Sequence, residues 1–522
     1  MPRAFSLSQT KLINVFSAFN LPTDLAELPN VFGDLVNDTR KLKNGDVFCA
    51  VIGHQQNGND YILQAVESGT SLIIAECECI EQHGEVHYLA KRSPNGQKVA
   101  QIYFFQLNKQ LYSFAKSYYQ NPQSNMTIIG ITGTNGKTST SQIIAKLFDH
   151  CQQKTAVIGT NGAGQVDALQ PLENTTPAAT QLHQLFAGFD AEHIENIAME
   201  ISSHALEQGR ANAELLDIAV FTNLSRDHLD YHKTMANYAK AKYQIFSLND
   251  KQVAIVNGED QQVKTWLNNW PSEQTVIVYG RTKSITQYSA FVRACDIKHH
   301  SKGVEFILDT HLGKQVISSP LIGDFNIDNL LAAISVLLVQ KISLIYIAQA
   351  VKSLTPTLGR MEIFSAENRA TAIVDYAHTP DALTNALAAC RQHCEGELWV
   401  VFGCGGDRDK GKRPLMAKAA ELGADHLIIT SDNPRNEQAE DIANDMLIGC
   451  ANPDEVTVVL DRELAVVAGL TKAKANDMIL FAGKGHEDYI IIGDEKINYN
   501  ERRFVNSIYQ LYNNQNPAGA IS

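Results

Sequence analysis

The sequence predicts an α/β protein of three domains, from its length, its alternation of apolar and helical segments, and one glycine-rich turn. The 522 residues are too many for a single hydrophobic core, since a domain commonly holds about 150 residues. Short apolar runs, each followed by a polar or glycine loop and mostly by a helical segment, are typical of parallel sheets covered by helices. We expect a small α/β domain over residues 1–106, a central parallel sheet with an antiparallel edge over 107–355, and a doubly wound, Rossmann-like domain over 356–522.

The composition is ordinary for a soluble globular protein, with 44% hydrophobic and 19% charged residues. A net charge of −13 argues against general nucleic-acid binding, because lysine and arginine are not in excess to neutralise phosphates. No apolar run approaches the roughly 18 residues of a membrane span, and the N-terminus lacks a signal-peptide core. Nine cysteines without a Cys-x-x-Cys pair support neither a zinc ribbon nor a disulfide framework. We expect a cytoplasmic, monomeric protein with reduced thiols and no nucleic-acid or membrane partner.

Two apolar runs in the first domain, 46–52 and 71–75, predict strands, and residues 60–68 predict a helix between them. A helical segment at 111–119 is followed by Asn121-Pro122, which separates it from the central fold because proline disfavours helix in the residue before it.

The central domain begins with an apolar strand and a glycine-rich turn, Met-Thr-Ile-Ile-Gly-Ile-Thr-Gly-Thr-Asn-Gly-Lys-Thr, at 126–138. Its glycines let backbone N–H groups converge on an anion, Lys137 adds a positive charge, and Thr138 offers a hydroxyl to Mg²⁺ at the start of a helix. The common P-loop has a glycine where Ile131 stands, so an ordinary tight turn is the alternative. The residues predicted to bind nucleotide phosphates are Gly133, Thr134, Asn135, Gly136, Lys137, Thr138 and Ser139.

Two later strand ends of this domain carry polar side chains, in Met-Glu-Ile-Ser-Ser-His at 199–204 and in Thr-Asn-Leu-Ser-Arg-Asp-His at 222–228. Ligands bind at such strand ends in parallel sheets. Glu200 and His228, together with the Thr138 hydroxyl, form a plausible ligand set for Mg²⁺. Each residue by itself is more often structural.

The motifs of the central domain resemble those of the Mur ligase family. The turn at 130–138 is similar to the variant carried by Mur ligases and folylpolyglutamate synthetases. Glu-x-Ser-Ser-His, Thr-Asn-Leu-x-x-Asp-His-Leu-Asp-x-His and Gly-Asp-Phe-Asn-x-x-Asn-x-Leu-Ala-Ala look like successive Mur ligase motifs, in order along the chain. The resemblance implies a P-loop mononucleotide-binding domain that uses ATP and Mg²⁺.

The same resemblance implies roles for four further residues. The lysine that matches Lys242 reacts with CO₂ in Mur ligases to give a carbamate that serves as a metal ligand, whereas Lys242 by itself resembles a solvated helix lysine. Asn326 resembles the residue beside the adenine, Arg360 the phosphate-binding arginine and Asp375 the ribose contact, although an aspartate after a strand is often a helix cap. The catalytic residues implied are Lys137, His228, Lys242 and Arg360.

The N-terminal motifs Asn-Asp-Thr-Arg at 37–40 and Gly-His-Gln-Gln at 53–56 resemble the site that grips a UDP-sugar in the family's third ligase, so the first domain is expected to bind UDP. Thr39 replaces the family's serine and retains the hydroxyl. Without the family, each residue is an ordinary turn or surface group. The contacts implied for the UDP-sugar and the muramoyl-dipeptide are Thr39, His54, Gln55, Gln56, Asn174, Thr175, Thr176, Ser202, Gln208 and Arg210.

Three polar loops of the C-terminal domain, at 403–413, 431–435 and 483–488, follow predicted strands. The first alternates in charge sign and lacks aromatics, so nucleic-acid binding is not favoured. A zwitterionic small molecule suits these loops better, with arginines for carboxylates and Glu487 for an ammonium group. A turn cap or a pair with Glu437 is the alternative for Arg435. The predicted amino-acid contacts are Arg408, Asp432, Asn433, Pro434, Arg435, Gly483 and Glu487.

Together the motifs resemble the Mur ligase that adds meso-2,6-diaminopimelate to UDP-N-acetylmuramoyl-L-alanyl-D-glutamate through an acyl phosphate, in peptidoglycan synthesis. The tetrapeptide Asp-Asn-Pro-Arg at 432–435 matches the diaminopimelate type. Three alternatives stay open: the same ligase with L-lysine, a folylpolyglutamate-synthetase-like ligase, and a UDP-sugar sensor. A folylpolyglutamate synthetase has no need of the N-terminal motif, and a sensor has no need of Lys137, Glu200 and His228.

Overall fold

A computed structural model describes residues 5–25, 28–53, 56–94, 96, 98–247, 251–300, 303–356 and 358–515. The chain divides into two compact units, Met1–Ile277 and Val278–Ser522. The predicted domain boundaries after residues 106 and 355 stay predictions. Within the described ranges, no helix is both long enough and apolar enough to cross a bilayer.

The first part of the first unit is a five-stranded sheet covered by helices. Its elements are β1 (Leu7–Ser8), α1 (Gln9–Ala18), β2 (Val31–Phe32), β3 (Leu35–Val36), β4 (Val47–Ala50), α2 (Ile62–Glu67), β5 (Leu72–Cys77), β6 (Val86–Arg92), β7 (Lys98–Phe105) and α3 (Leu107–Tyr118). The strand order is β3-β4-β5-β7-β6, parallel except for β6. Alternate side chains of β5 pack into two hydrophobic cores on opposite faces of the sheet. Ile74 packs with α1 and α3, and Ile73 packs with α2. Burial on both faces explains the continuous apolar sequence of β5.

The second part of the first unit contains the predicted phosphate-binding turn. Its elements are β8 (Thr127–Thr132), α4 (Lys137–His150), β9 (Thr155–Gly159), β10 (Gly162–Gly164), α5 (Ala179–Ala191), β11 (Asn196–Glu200), α6 (Ser203–Glu207), β12 (Ile218–Phe221), α7 (Leu229–His232), α8 (Met235–Tyr243), β13 (Val253–Asn257) and α9 (Gln261–Leu267). The strand order is β10-β9-β11-β8-β12-β13, and only β10 is antiparallel. Glu200 pairs with Ile131 and Phe221 with Thr132, so the loops after β8, β11 and β12 leave the sheet together.

The second unit begins with the antiparallel region that the sequence predicts, except that its first strand pairs parallel with the next one. Its elements are β14 (Val276–Gly280), inside which the boundary between units falls, β15 (Phe291–His300), β16 (Gly303–Thr310), β17 (Gly313–Ser319), α10 (Asp324–Val339) and α11 (Leu344–Lys352). β15, β16 and β17 pair antiparallel in that order, and α11 packs on β17.

The remainder of the second unit is a doubly wound sheet. Its elements are β18 (Glu362–Phe364), β19 (Thr371–Asp375), α12 (Pro380–His393), β20 (Leu398–Phe402), α13 (Lys412–Gly423), β21 (His426–Ile429), α14 (Ala439–Leu447), β22 (Thr457–Val458), α15 (Arg462–Lys472), β23 (Met478–Ala482), β24 (Tyr489–Ile492), β25 (Glu495–Asn498) and α16 (Glu501–Gln515). The strand order is β18-β19-β23-β20-β21-β22, parallel except for β18. Val400 faces the core under α12, α13 and α14, and Val401 the core under α15 and α16. The loops after β19, β20, β21 and β23 therefore share one edge of the sheet.

Candidate active site

The turn between β8 and α4 is fixed by the loop that follows β12. The Thr134 N–H donates to Asn223 O at 2.8 Å, and the Asn135 N–H donates to Asn223 Oδ1 at 2.9 Å. Thr222 Oγ1 donates to Asn135 O at 2.6 Å. Gly133 has a φ of +152°, and a Cβ there would lie 1.9 Å from Thr222 Oγ1, so only glycine fits. The loop after β12 therefore fixes the conformation of the turn.

Lys137 opens α4, as the sequence predicts, and its ammonium folds back over the turn. Nζ donates to Gly133 O and Thr134 O, both at 2.8 Å. Gly136 caps the helix with a φ of +86°, and Ser139 lies half-buried in the first turn of the helix. The N–H groups at the start of a helix, next to an ammonium, suit an anion such as phosphate.

Behind the turn, Thr138 and Glu200 form a buried pair of oxygen donors. Thr138 Oγ1 donates to Glu200 Oε2 at 2.9 Å. Thr160 donates to the same carboxylate through its N–H at 3.0 Å and its hydroxyl at 3.2 Å. A Cβ on Gly159 would lie 2.1 Å from Glu200 Oε1, so glycine makes room for this carboxylate. Carboxylate and hydroxyl oxygens are the ligands that Mg²⁺ prefers, so these two residues fit the ion.

His228 lies on the loop after β12, and its side chain is 48% exposed. Its backbone is left-handed with a φ of +53°, and its Nε2 lies 3.5 Å from Asp227 Oδ2. The imidazole packs edge-on against His204 with ring centroids 5.1 Å apart. Within the described ranges, no three His, Cys, Asp or Glu side chains converge as a metal cluster. A metal-ligating role for His228 stays a prediction.

Lys242 is a buried lysine rather than a solvated one. Its Nζ donates to Gly133 O at 2.7 Å, the carbonyl that also accepts from Lys137. Nζ also lies 4.5 Å from the ring centroid of Tyr238. Burial lowers the pKa of Lys242 well below that of an ordinary lysine, and the Lys137 charge lowers it further, while Asp227 acts in the opposite direction. These surroundings therefore shift the equilibrium of Lys242 towards its neutral amine.

A cavity of about 1070 Å³ opens in the first unit between residues 34–64 and 173–184. Thr39, Gln56 and Asn174 line it, which brings three of the predicted UDP-sugar and dipeptide contacts to one place. Thr39 Oγ1 donates to Gln64 Oε1 at 3.2 Å. The predicted contacts His54 and Gln55 lie outside the described residues. Ligand sites of proteins commonly measure about 300–1,000 Å³, so this cavity is large enough for a nucleotide sugar.

Four predicted dipeptide contacts meet beside β11. Thr176 Oγ1 donates to Glu200 O at 2.9 Å and accepts from the Ser202 N–H at 3.1 Å. Arg210 Nη1 donates to Thr176 O at 2.6 Å, and Thr175 Oγ1 lies 3.1 Å from Thr160 Oγ1. Arg210 Nε is buried and has no hydrogen-bond partner within the described part of the chain. That donor fits an anionic group of a substrate.

Gln208, the remaining predicted contact of this region, lies exposed at the C-terminal end of α6. The Ser202 hydroxyl caps the same helix by accepting from the Ala205 N–H at 3.1 Å. Ser202 therefore has a structural role whether or not it also touches a substrate.

In the second unit, two residues predicted to hold the nucleoside make structural hydrogen bonds. Asn326 Nδ2 donates to Ile322 O at 2.8 Å, next to the start of α10. Asp375 accepts from the Met361 N–H and the Ala377 N–H, each at 2.8 Å. Burial raises the pKa of Asp375. The predicted adenine and ribose contacts of these residues stay predictions.

Arg360 follows a tightly packed glycine and lies over an aromatic ring. Its guanidinium carbon is 4.7 Å from the ring centroid of Tyr376, which in turn packs against His486 at 4.8 Å. A Cβ on Gly359 would lie 2.3 Å from the carbonyl carbon of Gly485, so this turn admits only glycine. Arg360 Nε is buried without a hydrogen-bond partner among the described residues. An arginine held in this way suits a phosphate oxygen.

The loops after β20 and β21 hold Arg435 by one end of its guanidinium. Nη1 donates to Gly406 O at 2.8 Å and to Asn433 O at 3.4 Å. Glu437 pairs instead with the buried Arg413 at 2.8 Å, so the pairing of Arg435 with Glu437 is wrong, whereas the other alternative, a turn cap, agrees with the two bonds to carbonyl groups. Within the described residues, the Nε and Nη2 groups of Arg435 make no hydrogen bond.

The other predicted amino-acid contacts divide between buried and exposed positions. Arg408 is exposed, whereas Pro434 is buried and its carbonyl faces Gly406. Gly483 has a φ of +110°, and a Cβ there would lie 3.4 Å from Asp432 Oδ2. The predicted residues of the loops after β21 and β23 therefore meet at this edge of the sheet.

The sequence prediction missed Lys484, which lies between two of these contacts. Its Nζ donates to Glu487 Oε2 at 2.7 Å and to Asn433 Oδ1 at 3.2 Å. A lysine between two glycines resembles a surface residue, and only its position in a loop of predicted contacts hints at a role.

Comparison with known proteins identifies the family. The models of the Mur ligase middle domain and of the Mur ligase, glutamate ligase domain match residues 131–337 and 359–485. The UDP-N-acetylmuramoyl-L-alanyl-D-glutamate--2,6-diaminopimelate ligase of Haemophilus influenzae is 40% identical over 94% of this chain and 98% of its own length. The ligase of the same name from Vibrio vulnificus is 42% identical over 89% and 92%. A solved structure of a ligase of that name matches with a TM-score of 0.65 and 31% identity, covering 98% of this chain and 99% of that chain. The chain therefore belongs to the Mur ligase family.

Proposed function

We propose that this protein is an ATP-dependent ligase that joins meso-2,6-diaminopimelate to UDP-N-acetylmuramoyl-L-alanyl-D-glutamate in peptidoglycan synthesis. The relatives named UDP-N-acetylmuramoyl-L-alanyl-D-glutamate--2,6-diaminopimelate ligase match nearly the whole chain. The observation that carries the proposal is the phosphate turn with two lysines on one carbonyl: Lys137 and Lys242 both donate to Gly133 O. A ligase that activates a carboxylate with ATP needs the positive charge of Lys137 at this position, and Lys242 lies beside it as the amine that CO₂ would modify.

The reaction begins with attack of the dipeptide's carboxylate on the γ-phosphorus of ATP, which gives an acyl phosphate and ADP. The two reactants are both anionic and repel each other, so the protein must supply compensating charge. In the first unit, the N–H groups of the turn and Lys137 bind the phosphates. In the second unit, Arg360 is the cation predicted to bind phosphate. The amine of diaminopimelate then attacks the acyl carbon, and phosphate leaves as the amide bond forms.

Thr138 and Glu200, with His228 and a modified Lys242, would hold Mg²⁺, which when bound neutralises phosphate charge. The neutral amine of Lys242 can form an N–C bond to CO₂ and release one proton, leaving a carbamate. This reaction turns a neutral group beside Lys137 into an anion, so it adds an attraction to that ammonium and supplies an oxygen ligand. The lowered pKa of Lys242 supports the proposal, because only an unprotonated amine reacts with CO₂.

The cavity lined by Thr39, Gln56 and Asn174 is our proposed site for the UDP-sugar. The unpartnered Nε of Arg210 suits a carboxylate of the attached dipeptide. This arrangement gives the first unit both the phosphate turn and the nucleotide-sugar cavity. A cytoplasmic location and a monomeric state stay predictions of the sequence.

The loops of the second unit are our proposed site for the amino acid. The Nε and Nη2 groups of Arg435 form a fork that matches a carboxylate, and Asp432 and Glu487 suit an ammonium group. Diaminopimelate carries a carboxylate and an ammonium group at its far carbon, whereas L-lysine carries only hydrogens and the ammonium there. The fork of Arg435 therefore favours diaminopimelate.

The proposal is tested by phosphate release from ATP in mixtures that contain or lack each substrate. We expect release only when UDP-N-acetylmuramoyl-L-alanyl-D-glutamate and meso-diaminopimelate are both present. Lys137→Ala, which removes the ammonium over the turn, serves as the inactive control. Phosphate release at the same rate with and without the amino acid would indicate a different enzyme. A preference for L-lysine would show that the ligase uses L-lysine instead of diaminopimelate.

A further inference from the structure

Lys484 is a fully buried lysine in the loop after β23, with a side chain that is 0% exposed. Its Nζ donates to Glu487 Oε2 at 2.7 Å, to Asn433 Oδ1 at 3.2 Å and to Asp432 Oδ1 at 3.4 Å. An ammonium group has three hydrogens, so these three bonds use them all. Lys484 therefore has no hydrogen left for a ligand. Its hydrogen bonds instead hold the side chains of Asp432, Asn433 and Glu487 in place.

The position of Lys484 in the fold explains why it can reach both loops. Asp432 and Asn433 follow β21, whereas Lys484 and Glu487 follow β23, and β20 lies between these two strands. Arg462 Nη2 donates to Ala482 O at 2.9 Å and holds the end of β23. Lys484 thus ties two loops together across the end of a third strand.

The first consequence concerns the direction of the Asn433 amide. Its Oδ1 accepts from Lys484 and from the Ile491 N–H at 2.9 Å, which uses both lone pairs of that oxygen. Its Nδ2 donates one hydrogen to Glu487 Oε2 at 3.1 Å. Rotation of the amide would place an NH₂ group against an ammonium and an N–H, so the observed direction is strongly favoured. The amide offers one remaining donor and no acceptor.

The second consequence concerns the charge of the cluster. Glu487 Oε2 accepts from both Lys484 and Asn433, while Asp432 accepts from Lys484 on the other side. The two carboxylates and the single ammonium leave one net negative charge. That charge suits one substrate ammonium, whereas two uncompensated carboxylates would repel each other in this mostly buried place.

We propose that Lys484 is a positioning residue for the amino-acid substrate. It locks Asn433 as a donor for a substrate carboxylate and holds Glu487 as an acceptor for a substrate ammonium. The inference rests on the proposed function and deepens it, because it names the residue that sets the polarity of the amino-acid site. Lys484 itself does not touch the substrate.

The test is steady-state kinetics of the full-length Lys484→Met variant with each of the three substrates varied in turn. We expect the KM for meso-diaminopimelate to rise at least tenfold, because Asn433 becomes free to rotate and the two carboxylates repel. The KM values for ATP and for the UDP-linked dipeptide should stay within twofold. Lys496→Met is the matched control: Lys496 is exposed, and its Nζ lies 4.4 Å from the Tyr489 ring that Lys484 approaches to 5.6 Å. This control should retain wild-type constants.

A purely structural role for Lys484 would lower the active fraction, and hence kcat, without changing the KM for the amino acid. That result would overturn the inference while leaving the proposed function intact. A wild-type enzyme that ligates no amino acid would instead refute the proposed function. The two failures are therefore distinguishable.

If Lys484→Met does not fold, the test uses the wild-type protein. A crystal structure of the wild-type protein with meso-diaminopimelate needs no variant at all. It should show Asn433 Nδ2 facing a ligand carboxylate and Lys484 still bonded to Asn433 Oδ1. Direct contact between Lys484 and the ligand, or a rotated amide, would contradict the inference.

Discussion

Replacement of Arg435 by methionine should change the choice of amino acid more than any other single substitution that we propose. The guanidinium is anchored through Nη1 by the carbonyls of Gly406 and Asn433. Its Nε and Nη2 lie on the other edge of the guanidinium. Elsewhere in this unit, Arg462 uses its own Nε and Nη2 to form a buried bidentate pair with Glu501. Methionine retains the length and apolar stem of arginine and removes the fork.

The size of the effect follows from the hydrogen bonds that are lost. A hydrogen bond between charged groups contributes about 1.5–3 kcal/mol, and two that share one carboxylate do not add fully. A loss of about 3 kcal/mol corresponds to a decrease of roughly a hundredfold in kcat/KM, since about 1.4 kcal/mol is a factor of ten. L-Lysine has no carboxylate at its far carbon, so its kcat/KM should change by less than about threefold.

The assay is amino-acid-dependent phosphate release, with kcat/KM measured for meso-diaminopimelate and L-lysine side by side. Arg391→Met is the matched control, because Arg391 is exposed on α12 and pairs with Asp425 at 2.8 Å on the surface. We expect this control to match the wild type with both amino acids. An equal decrease for both amino acids in Arg435→Met, or a loss below tenfold for diaminopimelate, would refute the reasoning.

Three further predictions concern the first unit. Lys137→Ala should lower kcat by at least about a hundredfold with an unchanged melting temperature, because it removes a charge aimed at the phosphates; near-normal phosphate release would contradict the nucleotide site. Lys242→Ala should be nearly inactive and partly restored by millimolar acetate, which can replace the carbamate oxygens; normal activity, or a bare amine in crystals of active enzyme, would exclude the carbamate. Burial lowers the pKa of His183 to about 3. Its imidazole therefore stays neutral in the native state, whereas in the unfolded state it binds a proton below about pH 6.5. Stability should therefore fall by about 1.4 kcal/mol per pH unit from pH 6.5 towards pH 3; His183→Leu should flatten this slope in urea unfolding, and an unchanged slope would show that His183 is not responsible.

The phosphate turn was predictable because its determinants are local. The apolar strand, the glycines and the Lys-Thr pair are contiguous, and the structure begins α4 at Lys137 as expected. The same holds for the doubly wound sheet of the second unit, whose apolar strands recur at intervals that helices fill. Edge strands were harder to predict, and one of them, β22 (Thr457–Val458), is only two residues long and pairs on one side only.

The burial and the contacts of charged residues were not predictable from local sequence, because their partners are distant in sequence. Lys484 meets Asn433 across 51 residues, and Lys242 meets Gly133 across 109. A lysine next to polar residues resembles a solvated one until the fold shows that it is buried. Asp375 illustrates the converse, since its position after a strand predicts either a cap or a ligand contact, and the structure shows backbone hydrogen bonds.

The central claim is that this protein couples ATP cleavage to an amide bond between diaminopimelate and the UDP-linked dipeptide through an acyl phosphate. The most direct test uses UDP-N-acetylmuramoyl-L-alanyl-D-glutamate with oxygen-18 in its glutamate carboxylates, incubated with ATP and meso-diaminopimelate and analysed by mass spectrometry. We predict one tripeptide product for each ADP formed and one labelled oxygen in each phosphate released. Phosphate without label, or ADP formed without the tripeptide, would contradict the account.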